Sequence, residues 1–203
     1  MKRMALLGSK RIPSRGFSLV EVVIALAVIL ILSAVAMPAF ITAYRNYQLD
    51  DATTQFAGLL KFTRFEAIRL NKTVNCVIQQ VASVPPVTNI WADSDVGGIP
   101  DGIEDPNEKQ LIFSGTVNLV PPAAVPNVAG LAGAVGVATL ADGTATLFGF
   151  DRRGAVNPAN QVYAFYLANQ GDTSIGSRAV VLLPSGAIQV WKADSLGTWI
   201  SIS

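Results

Sequence analysis

The chain has 203 residues, with 15 basic and 14 acidic side chains, one cysteine and no histidine. Without histidine, Ser-His-Asp and Cys-His catalysis and any His-containing zinc site built from this chain alone are excluded. The single Cys76 excludes an internal disulfide, and the length accommodates one modest globular domain in addition to a membrane helix.

Charge is divided unevenly along the chain. Lys2, Arg3, Lys10, Arg11 and Arg15 put five positive charges in the first 16 residues, which hold no acid. Residues 17–203 keep 10 basic against 14 acidic side chains, a net of −4. A start this basic predicts a cytoplasmic N-terminus by the positive-inside rule, with the domain beyond the membrane helix facing the periplasm.

The stretch Arg15-Gly16-Phe17-Ser18-Leu19-Val20-Glu21 then opens an apolar run. From Val22 to Ala43 there is no charged residue, and only Ser33 and Thr42 carry hydroxyls. About 20 apolar residues suffice for a helix to cross a ~30 Å hydrocarbon layer. Glu21 lies near the start of that layer. Insertion scales put a charge at a membrane helix centre at about 2.5–3.5 kcal/mol, so this carboxylate requires a partner. Gly16 is placed before the apolar run, whereas a secretory signal is cut after its apolar region.

These residues resemble the class III signal of type IV pilins and pseudopilins. The resemblance implies cleavage by a membrane prepilin peptidase between Gly16 and Phe17, with N-methylation of the new Phe17 terminus. It also implies that Glu21 pairs with the N-terminal amine of a neighbouring subunit during assembly, which would supply the missing partner. Pro38 falls where many members of that family carry a helix-kinking proline. A single-pass anchor with a stray glutamate is the plainer reading, and it leaves the glycine unexplained.

The helix is expected to continue past the membrane. Leu49, Ala52, Phe56, Leu59, Leu60, Ala67 and Leu70 recur at three- and four-residue spacing, the stripe of an amphipathic helix. Asn71 is a suitable stop, and Arg69 and Lys72 suit the negative end of the helix dipole. The string from Phe62 to Val74 resembles the helix end and first strand of GspH/FimT-type minor pseudopilins. Glu66 and Arg69, three residues apart, are expected to pair across one turn in a structural role.

Beyond the helix, Val74, Cys76 and Ile78 alternate as one face of a strand, with Cys76 expected as a small buried hydrophobe. An acidic loop follows Trp91. Counted from Asp93, acids fall at positions one, three, nine and twelve, namely Asp93, Asp95, Asp101 and Glu104, with Gly98 at six. That is the ligand pattern of an EF-hand calcium loop, except that Gly97 replaces the oxygen expected at five and the flanks read as extended. The alternative is a solvated hairpin loop of turn-forming residues.

Residues 109–114 restore a strand. Pro121 to Ala141 is rich in Ala, Val, Gly and Pro and is expected to be non-helical, either covering a sheet within its own domain or exposed for a neighbouring subunit. Strands are then expected over 144–150, 162–167, 178–183 and 187–191, separated by Gly, Pro, Asn and Asp, in the manner of antiparallel sheet.

The fold expected is α+β, pilin-like: a long N-terminal helix packed on a C-terminal antiparallel sheet. The organisation expected is a removed leader at 1–16, a membrane and filament-core helix at 17–43, its periplasmic half at 44–72 and a β-rich domain at 73–203. The function implied is structural. The chain would be a minor pseudopilin of the inner membrane, partnered by prepilin peptidase, other pseudopilins and the assembly platform, serving type II secretion or pilus biogenesis. The rival is a FimT-like minor pilin binding DNA during uptake. Clustered Lys and Arg are needed to displace phosphate counterions, yet after Asn75 only Lys109, Arg152, Arg153, Arg178 and Lys192 remain. No nucleic-acid partner is therefore expected. No Gly-rich phosphate loop or spaced ligand set nominates a reaction, and calcium at the acidic loop is the one cofactor that the residues suggest.

Overall fold

A computed structural model describes residues 16–81, 86–94, 102–144 and 147–202. The chain divides into two compact units, 1–41 and 42–203.

The first unit consists, in its described part, of three non-helical residues followed by the start of helix α1 (Leu19–Leu70). Every side chain from Gly16 to Ile41 is exposed. The helix continues through Pro38.

The second unit opens on the remainder of α1. Its buried positions are Leu49, Ala52, Thr53, Phe56, Ala57, Leu59, Leu60, Thr63, Glu66 and Ala67, which is the stripe read from the sequence with Ala57, two hydroxyls and one acid added and with Leu70 only half-buried. Thr53 and Thr63 donate to the Leu49 and Leu59 carbonyls at 2.6 and 2.9 Å, so neither hydroxyl is buried unsatisfied. Helix α1 ends at Leu70. Asn71 then takes a left-handed φ of 51°, and the Lys72 amide donates back to the Ala67 carbonyl at 3.2 Å.

The antiparallel β domain that follows is built from two sheets among the described residues. The first takes β1 (Val74–Val81), β2 (Val87–Asp93), β3 (Gln110–Ser114), β6 (Phe148–Phe150) and β7 (Val156–Asn157), in the order β3-β2-β1-β6-β7. The second takes β4 (Val117–Val120), β8 (Tyr163–Asn169), β9 (Ser177–Leu182), β10 (Ile188–Ala193) and β11 (Trp199–Ser201), in the order β11-β10-β9-β8-β4. A short β5 (Ala141–Asp142) lies parallel to β8, and every other pairing is antiparallel. The switch between sheets falls at Gly115-Thr116, between β3 and β4. Across it, Thr88 of β2 donates to Asn118 of β4 at 2.5 Å.

One core brings together Leu49, Phe56 and Leu60 of α1, Val74, Cys76 and Phe148 of the first sheet, and Phe165, Val180 and Leu182 of the second. Phe56 meets Phe165 edge-on with ring centroids 5.0 Å apart. Cys76 is buried, and that burial pushes its thiol far above the ordinary range.

A second core lies on the other face of the second sheet, formed by Ala164, Tyr166, Ala179, Val181 and Trp191 with Val125, Leu131 and Trp199. Here the segment expected to be non-helical holds helix α2 (Val128–Val135). The correction has a local cause. The Asn127 side chain accepts from the Gly130 amide at 3.0 Å as N-cap. At the other end Gly136 adopts φ 81°, a left-handed stop that a Cβ would strain. Pro121, Pro122 and Pro126 all fall outside the eight helical residues. Leu131 is fully buried, so the segment covers the sheet of its own domain.

Candidate functional site

Gly16, Phe17 and Ser18 precede α1 and are non-helical, and the Phe17 ring is 81% exposed. An exposed, non-helical Gly16–Phe17 bond is one that a peptidase could take as an extended strand. Ser18 provides the first helical acceptor, receiving the Val22 amide at 3.2 Å. Glu21 falls in the first turn of α1, where unsatisfied N–H groups and the helix dipole favour a carboxylate by about 0.3–1 kcal/mol. That is too little to offset insertion into hydrocarbon by itself. Among the described residues, α1 is the one helix long and apolar enough to cross a membrane.

The acidic loop joins β2 to β3 in an antiparallel hairpin in which Trp91 faces Gln110. Asp93 is buried at the end of β2, and its Oδ2 accepts from the Gly102 amide at 2.8 Å. Glu104 is exposed. Asp95 and Asp101 lie outside the described residues. The loop is fastened by Glu108, which the EF-hand numbering leaves out. Its Oε1 accepts from the Ser94 amide at 2.6 Å and its Oε2 from the Asp105 amide at 3.1 Å. The described residues contain no group of three or more His, Cys, Asp or Glu able to hold a metal ion.

The second unit also holds ionic contacts that the sequence did not disclose. Arg178 of β9 is completely buried. Its Nε donates to Asp50 Oδ1 at 2.5 Å, its Nη1 to the Ser177 carbonyl at 3.2 Å and its Nη2 to Asn46 at 3.4 Å. Arg45 reaches Asp172 at 2.7 Å. Hydrogen bonds from Ser174 and from Arg45 hold the Asp172 carboxyl below its ordinary range. Strand alternation carried a signal for Arg178, because it shares a face with Val180 and Leu182 and must therefore point into the core. An inward arginine demands an acid.

Arg64 ties two turns to the helix. Its Nε donates to the Gly154 carbonyl at 3.0 Å and its Nη2 to the Ser185 carbonyl at 3.4 Å. Glu66 and Arg69 form the expected pair through two contacts, one being Arg69 Nε to Glu66 Oε2 at 2.9 Å. The hydrogen bond from Arg69 lowers the Glu66 carboxyl from its ordinary value against the opposing effect of burial. Lys109 places its ammonium 4.7 Å from the Phe62 ring centroid.

Residues 12–37 match the family model of the prokaryotic N-terminal methylation motif. No curated protein matches the chain. Among solved structures, the type IV minor pilin FimU of Pseudomonas aeruginosa strain PAO1 is similar, at 16% identity and a TM-score of 0.45, over 71% of this chain and 88% of that one.

Proposed function

We propose that this chain is a type IV pilin-like minor subunit: a structural protein cut after Gly16, methylated at Phe17, anchored in the inner membrane by residues 17–43 and added to a pilus or pseudopilus. The carrying observation is the methylation motif at 12–37, which overlaps the first part of α1, where every apolar side chain up to Ile41 is exposed. Such a surface needs lipid or other helices around it. Glu21 is the assembly residue, neutralised by the Phe17 amine of the neighbouring subunit.

Type II secretion is favoured over DNA uptake. Of the basic side chains beyond Asn75, Arg178 is buried against Asp50 and Lys109 stacks over Phe62. Arg152, Arg153 and Lys192 remain for phosphates, a thin electrostatic footprint. Mass spectrometry of the mature protein tests the reading and should find an N-terminal N-methyl-Phe17. An intact leader, or a cut on the far side of the apolar run, would overturn it.

A further inference from the structure

We infer that the solvent-facing end of α1, around Phe65, is where a second copy of this chain docks, in a two-fold pairing with the two helix ends side by side. The inference goes beyond the reading above: it concerns the second unit alone and holds whether or not the leader is cut. Phe65 is 61% exposed and Ile68 47% exposed. Three residues apart on α1, they form one apolar ridge on the helix surface.

Opposite charges flank that ridge. At about 100° per residue, Phe62 and Arg64 project from nearly opposite sides of α1, with Phe65 and Ile68 on the solvent-facing arc between them. On the Phe62 side stands Lys109, its ammonium 4.7 Å from the ring centroid. The preceding residue, Glu108, closes a turn by donating its amide to the Asp105 carbonyl at 3.0 Å. Glu104 and Asp105 are both exposed, so this flank sets Glu104, Asp105 and Glu108 against Lys109. On the Arg64 side lies the turn from Asp151 to Gly154. Arg64 Nε donates to the Gly154 carbonyl at 3.0 Å, and a Cβ on Gly154 would meet Ile68 Cδ1 at 2.7 Å. Arg152 and Arg153 are exposed there. Asp151 Oδ1 is occupied by the Arg153 and Ala155 amides at 2.8 and 2.9 Å, so this flank is basic. Strand register places the two flanks at one end of the first sheet, because Asp93 pairs with Asn75 and Phe150 with Val74. Two strand spacings, about 10 Å, separate them there. Among the described residues, no ion pair engages Glu104, Asp105, Arg152 or Arg153.

This arrangement selects its own partner. A two-fold axis along the helix direction sets the acidic flank of each copy against the basic flank of the other, with Phe65 against Phe65 at the centre. An axis across the helix would set acid against acid and base against base, which like-charge repulsion opposes. One surface thus carries both halves of a self-complementary interface, with an apolar centre and a charged rim. Lys61, exposed one turn earlier on the same face, has a long stem that lets its ammonium turn away from the axis.

The test follows self-association of the full-length protein in detergent by analytical ultracentrifugation. The wild type should form dimers and nothing larger, with a Kd that rises severalfold between about 50 and 300 mM salt as the rim is screened. Phe65→Ala, at an exposed position, should raise that Kd at least about tenfold, as loss of a central aromatic does. Arg152→Glu with Arg153→Glu, and separately Glu104→Arg with Asp105→Arg, should each leave a chain whose flanks carry one sign and repel those of its own copies. Each double variant should be monomeric alone, and the two mixed should pair with each other. A wild-type chain that stays monomeric up to about 1 mM overturns the inference. A dimer that survives Phe65→Ala, a mixture of the two reversed variants that does not pair, or assemblies that grow beyond two copies also overturn it.

Discussion

Arg178 has no exposed surface, while Asp50, its partner at 2.5 Å, keeps half of its side chain in water. The pair joins β9 to α1 across 128 positions of sequence, and its two members are unequal in what they can tolerate. Losing Asp50 strands a buried guanidinium, whereas losing Arg178 leaves an acid that water can solvate.

The first prediction follows from that asymmetry. Asp50→Ala should destabilise the domain by about 2–3 kcal/mol, below the 3–5 kcal/mol for breaking a fully buried pair because Asp50 is half exposed. Arg178→Met, which removes the charge and fills the space, should cost no more than about 1 kcal/mol. Urea unfolding of the two variants measures both. Equal costs would mean that the ion pair holds nothing that packing does not.

Gly186 carries the second prediction. It sits at φ 79°, and a Cβ there would meet the Gly154 carbonyl oxygen at 1.9 Å and Arg64 Nε at 2.9 Å. Gly186→Ala should therefore cost at least about 2 kcal/mol, the scale of a strained left-handed residue with a clash added. It should also free Arg64 from the Ser185 carbonyl. A thermal midpoint unchanged from wild type would refute the close approach of these two turns.

Acid should weaken the fold through Glu66 and Asp172. Both carboxyls are held below their ordinary values, 4.5 and 3.8, each chiefly by a side-chain hydrogen bond, from Arg69 and Ser174 respectively. A depressed folded-state value means that the stabilisation is complete above the ordinary value and disappears as pH falls through the lowered one. Thermal midpoints measured from pH 6 to pH 2.5 should fall below about pH 4.5. Glu66→Gln should be less stable at pH 6 and should lose less on acidification. A wild-type midpoint that is flat over this window would contradict the assignment.

In the proposed function Glu21 would carry assembly, and that can be tested. Glu21→Val removes a costly charge from the start of the membrane segment, so insertion should be at least as efficient as in wild type. Cleavage should persist because Gly16 is intact. Incorporation into filaments, followed by cross-linking to neighbouring subunits, should fall sharply. Normal co-assembly of this variant would leave pairing between Glu21 and a neighbouring amine without support.

The long helix was legible because its signals are local and strong: an uncharged run, a three–four stripe ending on Leu70 and a left-handed stop at Asn71. The hairpins around the acidic loop and around Gly186 were legible from turn residues for the same reason. Two-sheet topology was not, because β4 is four residues long and β11 three, and strands that short depend on partners far along the chain. Helix α2 was hidden by composition. Its three glycines and three prolines, counted from Pro121 to Gly136, read as breakers until Asn127 and Gly136 are recognised as its two ends. The ionic contacts of Arg178, Arg45 and Glu108 were hidden for a different reason: each depends on which backbone or acid lies opposite, which only the folded chain decides. The motif residues Gly16, Phe17 and Glu21 stand at the other extreme, since their spacing in the sequence carries the whole signal.

Strands β8 and β9 form a wall shared by the two cores, with nearly every side chain buried on both faces. One consequence concerns how this domain comes apart. The layer containing α2 and Trp199 cannot lift off without wetting Tyr166 and Trp191, and α1 cannot peel away without wetting Phe165 and Val180. Either loss removes one face of the same two strands. Opening is thereby made cooperative, and the amide protons at the centre of β8 and β9 should be the last in the domain to exchange with deuterium, only through global unfolding.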